Sequence, residues 1–160
     1  MDEQALRSIV EAVVEKVKPQ NEITLKAALR LAEKVKAKAR EMGVNAVVAI
    51  SNRSARPILV ECMDDSYIAS YDIAVGKAFT VVSLKMSTSK LKTLAQPGGS
   101  LYGIQFTNDN KIVIFGGGEP LYDSYGNIVG GLGVSGGSEE QDTALAEYGK
   151  EIFENSGGKH

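Results

Sequence analysis

The sequence predicts an α+β fold, an antiparallel sheet with helices packed on its faces, in the order α-α-β-β-α-α-β-β-α. Three observations carry that expectation. Apolar residues recur at helical spacing near both ends of the chain and in its middle. Four short apolar runs fall into two neighbouring pairs, which does not match the strict strand–helix alternation of a doubly wound parallel sheet. Of the 17 glycines, 12 lie between Gln96 and Gly137, inside hydrophobic rather than low-complexity sequence.

The elements follow in order. Residues 2–18 carry Leu6, Ile9, Val10, Val13, Val14 and Val17 on one helical stripe, with Asp2 and Glu3 suited to the N-terminus and Lys16 and Lys18 to the C-terminus. Pro19 ends that helix. Thr24 caps a second, which carries Leu25, Ala28, Leu29, Ala32, Val35, Ala39 and Met42 on one face, and Gly43 suits its C′ position. The runs at 44–51 (VNAVVAIS) and 57–63 (PILVECM), joined by the polar turn 52–56 (NRSAR), read as a strand pair. Asp64, Asp65 or Ser66 is expected to cap a helix from Tyr67 to Leu84. Because that helix is apolar on nearly every side, it is expected at the centre. Residues 87–95 form a short helix stopped before Pro97. Residues 111–115 (KIVIF) and 127–134 (NIVGGLGV) read as two more strands, with 123–127 (DSYGN) as turn chemistry. Ser138 with Gln141 is a capping box opening the last helix, which buries Leu145, Tyr148 and Ile152. The expected organisation is an N-terminal amphipathic helix (1–20), one domain (21–155) and a disordered tail (156–160).

Composition narrows the partners. A net charge of −2 gives no reason to expect nucleic acid or an anionic membrane. The basic residues Lys26, Arg30, Lys34, Lys36, Lys38 and Arg40 read as the wet side of the second helix. No apolar run is long enough to cross a bilayer, and the charged N-terminus lacks a signal-peptide core. The single Cys62 has no internal partner, which fits a reducing cytoplasm.

A glycine inside a strand costs roughly 0.5–1 kcal/mol relative to alanine. The cluster therefore marks backbone that comes close either to another element or to a ligand. Gly131 to Gly136 matches G-x-G-x-x-G, but no second parallel strand follows, so a dinucleotide fold is rejected. Free amides around Ser135 to Ser138 could hold a carboxylate, or the glycines could let the last strand cross the central helix closely. Gly116, Gly117 and Gly118 before Pro120 could line a pocket or form a bulge. Gln96, Gly98, Gly99, Tyr102 and Gln105 offer polar groups beside an aromatic face, unless Tyr102 is buried with its hydroxyl satisfied. Lys77, on an apolar helix, needs either a carboxylate (Asp72, Asp64 or Asp65) or a ligand anion.

Several of these segments, in one order, resemble the GlcG/HbpS-like family, which includes the C-terminal domain of PduO. They are the helix at 24–44, the stretches 72–84 (DIAVGKAFTVVSL) and 88–91 (TSKL), then 95–105 (AQPGGSLYGIQ), 113–123 (VIFGGGEPLYD) and 130–142 (GGLGVSGGSEEQD). The resemblance covers roughly residues 23–153 and includes Lys77 in its D-x-x-x-x-K-A stretch. It implies a profilin-like fold, homo-oligomers and a haem- or corrinoid-related ligand. The chain departs from relatives at 52–57, where they commonly carry an aspartate and glycines in the turn. Some relatives ligate iron through histidine, whereas the sole histidine here is the terminal His160. Met86, Tyr102 or Cys62 could serve iron instead.

Catalytic constellations do not emerge. Acyl transfer needs a histidine base, Cys62 has no histidine partner, and neither C-x-x-C nor clustered histidines suggest zinc. The first eighteen residues resemble the short amphipathic encapsulation peptides that carry enzymes into bacterial microcompartments. The alternative is that this helix packs on its own domain or across an oligomer interface.

The expectation is a cytoplasmic, non-enzymatic accessory protein that binds a haem- or corrinoid-like molecule through Lys77, Tyr102, Gly117, Gly118 and Ser135. Residues 2–18 would engage a microcompartment shell or enzyme partner. The alternatives are a scaffold subunit whose glycines serve packing alone, and an enzyme acting on small acids or aldehydes.

Overall fold

The computed structural model describes residues 2–17 and 22–157. The expected stop at Pro19 and the terminal residues 158–160, His160 among them, lie outside the described residues. Among the described residues five α-helices and four strands occur in the expected order: α1 (Glu3–Val17), α2 (Leu25–Glu41), β1 (Val47–Asn52), β2 (Pro57–Cys62), α3 (Ile68–Ser83), α4 (Thr88–Leu94), β3 (Gly118–Tyr122), β4 (Ile128–Ser135) and α5 (Glu139–Asn155). The strands make one antiparallel sheet in the order β2-β1-β4-β3, the α+β, profilin-like arrangement.

Side-chain alternation along β1 assigns the two faces of the sheet. Val48 and Ile50 join Leu132 and Val134 of β4 in a core closed by α2 and α5. Val47 and Ala49 point the other way, onto Ala74 and Ala78 of α3. Local chemistry fixes the helix ends as read from sequence. Thr24 Oγ1 accepts from the Ala27 amide at 3.1 Å. Gly43 adopts a left-handed φ of 69° after α2. Ser138 and Gln141 form the capping box of α5, with amide-to-side-chain distances of 2.9 and 3.1 Å.

Three expectations are corrected. Residues 111–115 are not a strand, and the third strand is β3, at 118–122. Asn108, Asp109 and Asn110 all take left-handed backbone. That turn lays the following segment along α3, where Thr80 Oγ1 accepts from the Val113 amide at 2.9 Å in place of a ladder bond. Pro120 is accommodated because β3 is an edge strand, where a missing donor costs no ladder bond. The α3 N-cap is Tyr67, without a side-chain cap, and not Asp64, Asp65 or Ser66. Asp65 is instead consumed in a tight turn, at φ 61° and with the Ser66 amide donating to Met63 O. Finally, α3 is not surrounded: Ile68 is 97% exposed, Tyr67 and Tyr71 are also exposed, and Ile73, Val75 and Phe79 are only half-buried.

Candidate functional site

Gly118 of β3 and Gly131 and Gly133 of β4 lie under α3. A Cβ on Gly131 would strike Ala78 O, and one on Gly133 would strike Ala74 O and the Ala78 amide. Ser70, Ala74 and Ala78 form a small-residue seam at helical spacing that matches Gly131, Gly133 and Ser135 on the strand, and Ser135 Oγ meets Ser70 Oγ at 3.0 Å. Small residues on both partners let helix and strand backbones come together without intervening side chains.

Lys77 ends in this seam. Its side chain is fully buried, and Nζ donates to Val134 O at 2.7 Å and to Asp142 Oδ2 at 3.1 Å. The carboxylate partner is thus Asp142 of α5, not Asp72, Asp64 or Asp65. Asp72 lies on the open side of α3 and is exposed. Asp142 also accepts from the Gly137 amide at 2.9 Å. Burial pulls the Lys77 ammonium down and pushes the Asp142 carboxyl up, and their mutual attraction opposes both shifts. The amides at Gly137 and Ser138, expected to be free for a ligand anion, are therefore taken by the Asp142 and Gln141 side chains.

Gly117 and Gly118 stand beside Lys77. Gly117 has φ +110°, and a Cβ there would meet Lys77 Nζ at 2.6 Å and Val134 O at 2.7 Å. The Gly118 amide donates to Thr88 Oγ1, and the Gly116 amide to Glu139 Oε1, both at 2.9 Å. That backbone bond and the 2.6 Å Lys92 pair hold the Glu139 carboxyl below its usual range. Lys77, Gly117, Gly118 and Ser135 are therefore brought together, in space occupied by the protein itself. Tyr102 is not among them: it lies on the loop after α4 and is 66% exposed.

The open space lies across α3. A groove of about 700 Å³ runs between the outer side of α3, the turn at 54–57 and the segment 110–113. Its apolar lining is Ile73, Val75, Phe79 and Val113, and Arg56, Lys111 and Asp72 line it as charged groups. Gly76 builds the floor, since a Cβ there would meet Val113 Cγ2 at 2.8 Å and push the crossing segment away. Lys111 Nζ lies 5.8 Å from the centre of the Phe79 ring. The β1–β2 turn presents Arg56 because Asn52 Oδ1 accepts from the Ser54 and Arg56 amides, each at 3.0 Å. Among the described residues neither Arg56 nor Lys111 makes an ion pair. Sequence reasoning missed the groove because Arg56 read as turn polarity and Lys111 as the start of a strand. A volume in the ordinary range for small-molecule sites, with an apolar floor and a few charged groups, suits a flat amphiphilic anion.

The fold agrees with what the chain is similar to. An uncharacterised 15.0 kDa protein from the dhaT–dhaS intergenic region of Citrobacter freundii is 44% identical over 82% of this chain and 92% of that protein. The corrinoid adenosyltransferase PduO of the same organism is 39% identical over 69% of this chain, but the match spans only 32% of PduO. A solved structure described as a PduOC:haem complex superposes with a TM-score of 0.77 at 33% identity, covering 81% of this chain and 94% of that one. Residues 23–151 match the family model described as haem degrading protein HbpS-like, and the chain belongs to that HbpS-like family.

Proposed function

We propose that this protein is a haem-binding accessory protein, and that the groove outside α3 receives the ligand. The observation that carries the reading is the pairing of an apolar floor (Ile73, Val75, Phe79, Val113) with two cations, Arg56 and Lys111, which make no ion pair among the described residues and outnumber Asp72, the one carboxylate of the lining. Haem, when bound, supplies a redox-active iron. The chain's residues cover its ring and neutralise its propionates. Among the described residues the groove offers an apolar surface for the ring and cations for the carboxylates, and no imidazole, thiolate, thioether or phenol for the iron. A corrinoid, supported by the PduO match, has an amide-rich periphery that gains less from two cations. Lys77, Gly117, Gly118 and Ser135 serve this reading from beneath, by fixing α3. Titrating the purified chain with haem should give a saturable Soret change; a linear, non-saturating signal would refute the site.

Two exposed apolar surfaces support wider associations. On α1 the stripe of Leu6, Ile9, Val10, Val13 and Val14 is about half exposed, which fits an N-terminal unit (1–20) that docks on a microcompartment shell or enzyme partner. A reporter carrying residues 1–20 should become punctate beside assembled shells; diffuse signal would remove the idea. Exposed Tyr67, Ile68 and Tyr71 on α3 fit a homo-oligomer, checked by solution mass. Among the described residues no helix is long and apolar enough to cross a membrane.

A further inference from the structure

Haem offers a protein a flat apolar ring, a pair of carboxylates and an iron with open axial positions. The groove answers the first two and not the third. Ile73, Val75, Phe79 and Val113 supply apolar contact, and Arg56 and Lys111 supply positive charge, with Asp72 the one acid of the lining. Among the described residues, no side chain that ordinarily ligates haem iron lines the groove. Cys62 is exposed at the end of β2, Met86 follows α3, and Tyr102 is on the loop after α4; none lines the groove. Lys77, the remaining amine on α3, is buried on the opposite side and committed to Val134 O and Asp142.

Resting on the haem-binding reading, we infer that the groove recognises the tetrapyrrole by its ring face and carboxylates and is indifferent to the metal. Its ligand class is then dicarboxylate tetrapyrroles in general, with metal-free porphyrins bound as readily as haem. The direct contribution of iron ligation to affinity is absent, so removing the iron leaves the recognised surface unchanged. Removing the carboxylate charge does not, because Arg56 and Lys111 then face a neutral ester.

The test is equilibrium titration of the full chain with haem, protoporphyrin IX and protoporphyrin IX dimethyl ester, under the same detergent-free conditions. The expected result is a protoporphyrin Kd within about fivefold of that for haem, with the ester at least about tenfold weaker. His160→Ala should leave the Soret position of the haem complex unchanged. Protoporphyrin more than about fivefold weaker than haem, or a Soret shift in His160→Ala, would overturn the inference while leaving haem binding intact. An ester that binds as tightly as the free acid would overturn carboxylate recognition. Failure of both haem and protoporphyrin to bind would remove the underlying reading as well.

Discussion

Helix α3 meets the molecule in opposite ways on its two sides. Toward the sheet it presents Ser70, Ala74, Lys77 and Ala78 to strands stripped of side chains, and the backbones close to contact. Away from the sheet it presents Ile73 and Phe79, larger and only half covered, and with Val75 at the margin they line a groove of about 700 Å³. The difference teaches where bare backbone leads. Glycine on β4 does not leave a hollow, because the helix descends into it. The hollow forms on the far side, bounded by Ile73, Val75 and Phe79 of the helix, the turn at 54–57 and the crossing segment 110–113 that rests on Gly76. A glycine-rich strand paired with a small-residue helix seam therefore marks a closed interface, and the binding surface is sought on that helix's other side.

The comparison breaks most sharply at the buried ion pair. Asp142→Ala leaves the Lys77 ammonium buried without a carboxylate, which is expected to cost about 3–5 kcal/mol in urea or thermal unfolding. The joint replacement Lys77→Met/Asp142→Leu removes both charges and should recover most of that loss. If Asp142→Ala unfolds like the parent, the closed side is not held as described. Next in size is Gly133→Ala, whose Cβ would strike the Ala74 carbonyl. Overpacking against backbone should cost about 3 kcal/mol, and a neutral effect would mean that α3 stands further from β4 than the seam requires.

The smallest effect belongs to Glu119, buried on β3 with Lys150 Nζ at 3.6 Å. Burial raises its pKa above the ordinary 4.5, more than Lys150 lowers it. A raised folded-state value means that the protonated form is the one folding favours. The stabilising contribution is complete below 4.5 and is lost as pH rises through the folded value. Glu119→Gln should therefore raise the melting temperature slightly at neutral pH and leave it unchanged in acid. A neutral-pH loss would show that the Lys150 pair outweighs burial.

The order of elements was readable because helical periodicity, Thr24, Ser138 and the turn at 123–127 are local signals. The third strand was misplaced because residues 111–115 are apolar enough to pass for a strand, while three consecutive left-handed residues upstream redirect them onto α3. Lys77 was singled out correctly as needing a partner, but its carboxylate lies sixty-five residues away. The available signal was Asp142 itself, an acid in register with the buried positions Leu145, Ala146 and Gly149 of α5. The groove was invisible for a different reason. It is assembled by a turn, a helix side and a loop whose proximity only the tertiary fold creates.

The central claim is that ligand binds outside α3 and not in the glycine seam beneath it. Haem titration of Lys77→Met/Asp142→Leu beside Arg56→Glu/Lys111→Glu tests it most directly. The account predicts near-parent affinity for the first and at least about tenfold weaker binding for the second, with both melting cooperatively. Binding lost in the buried pair and retained in the groove pair would contradict it.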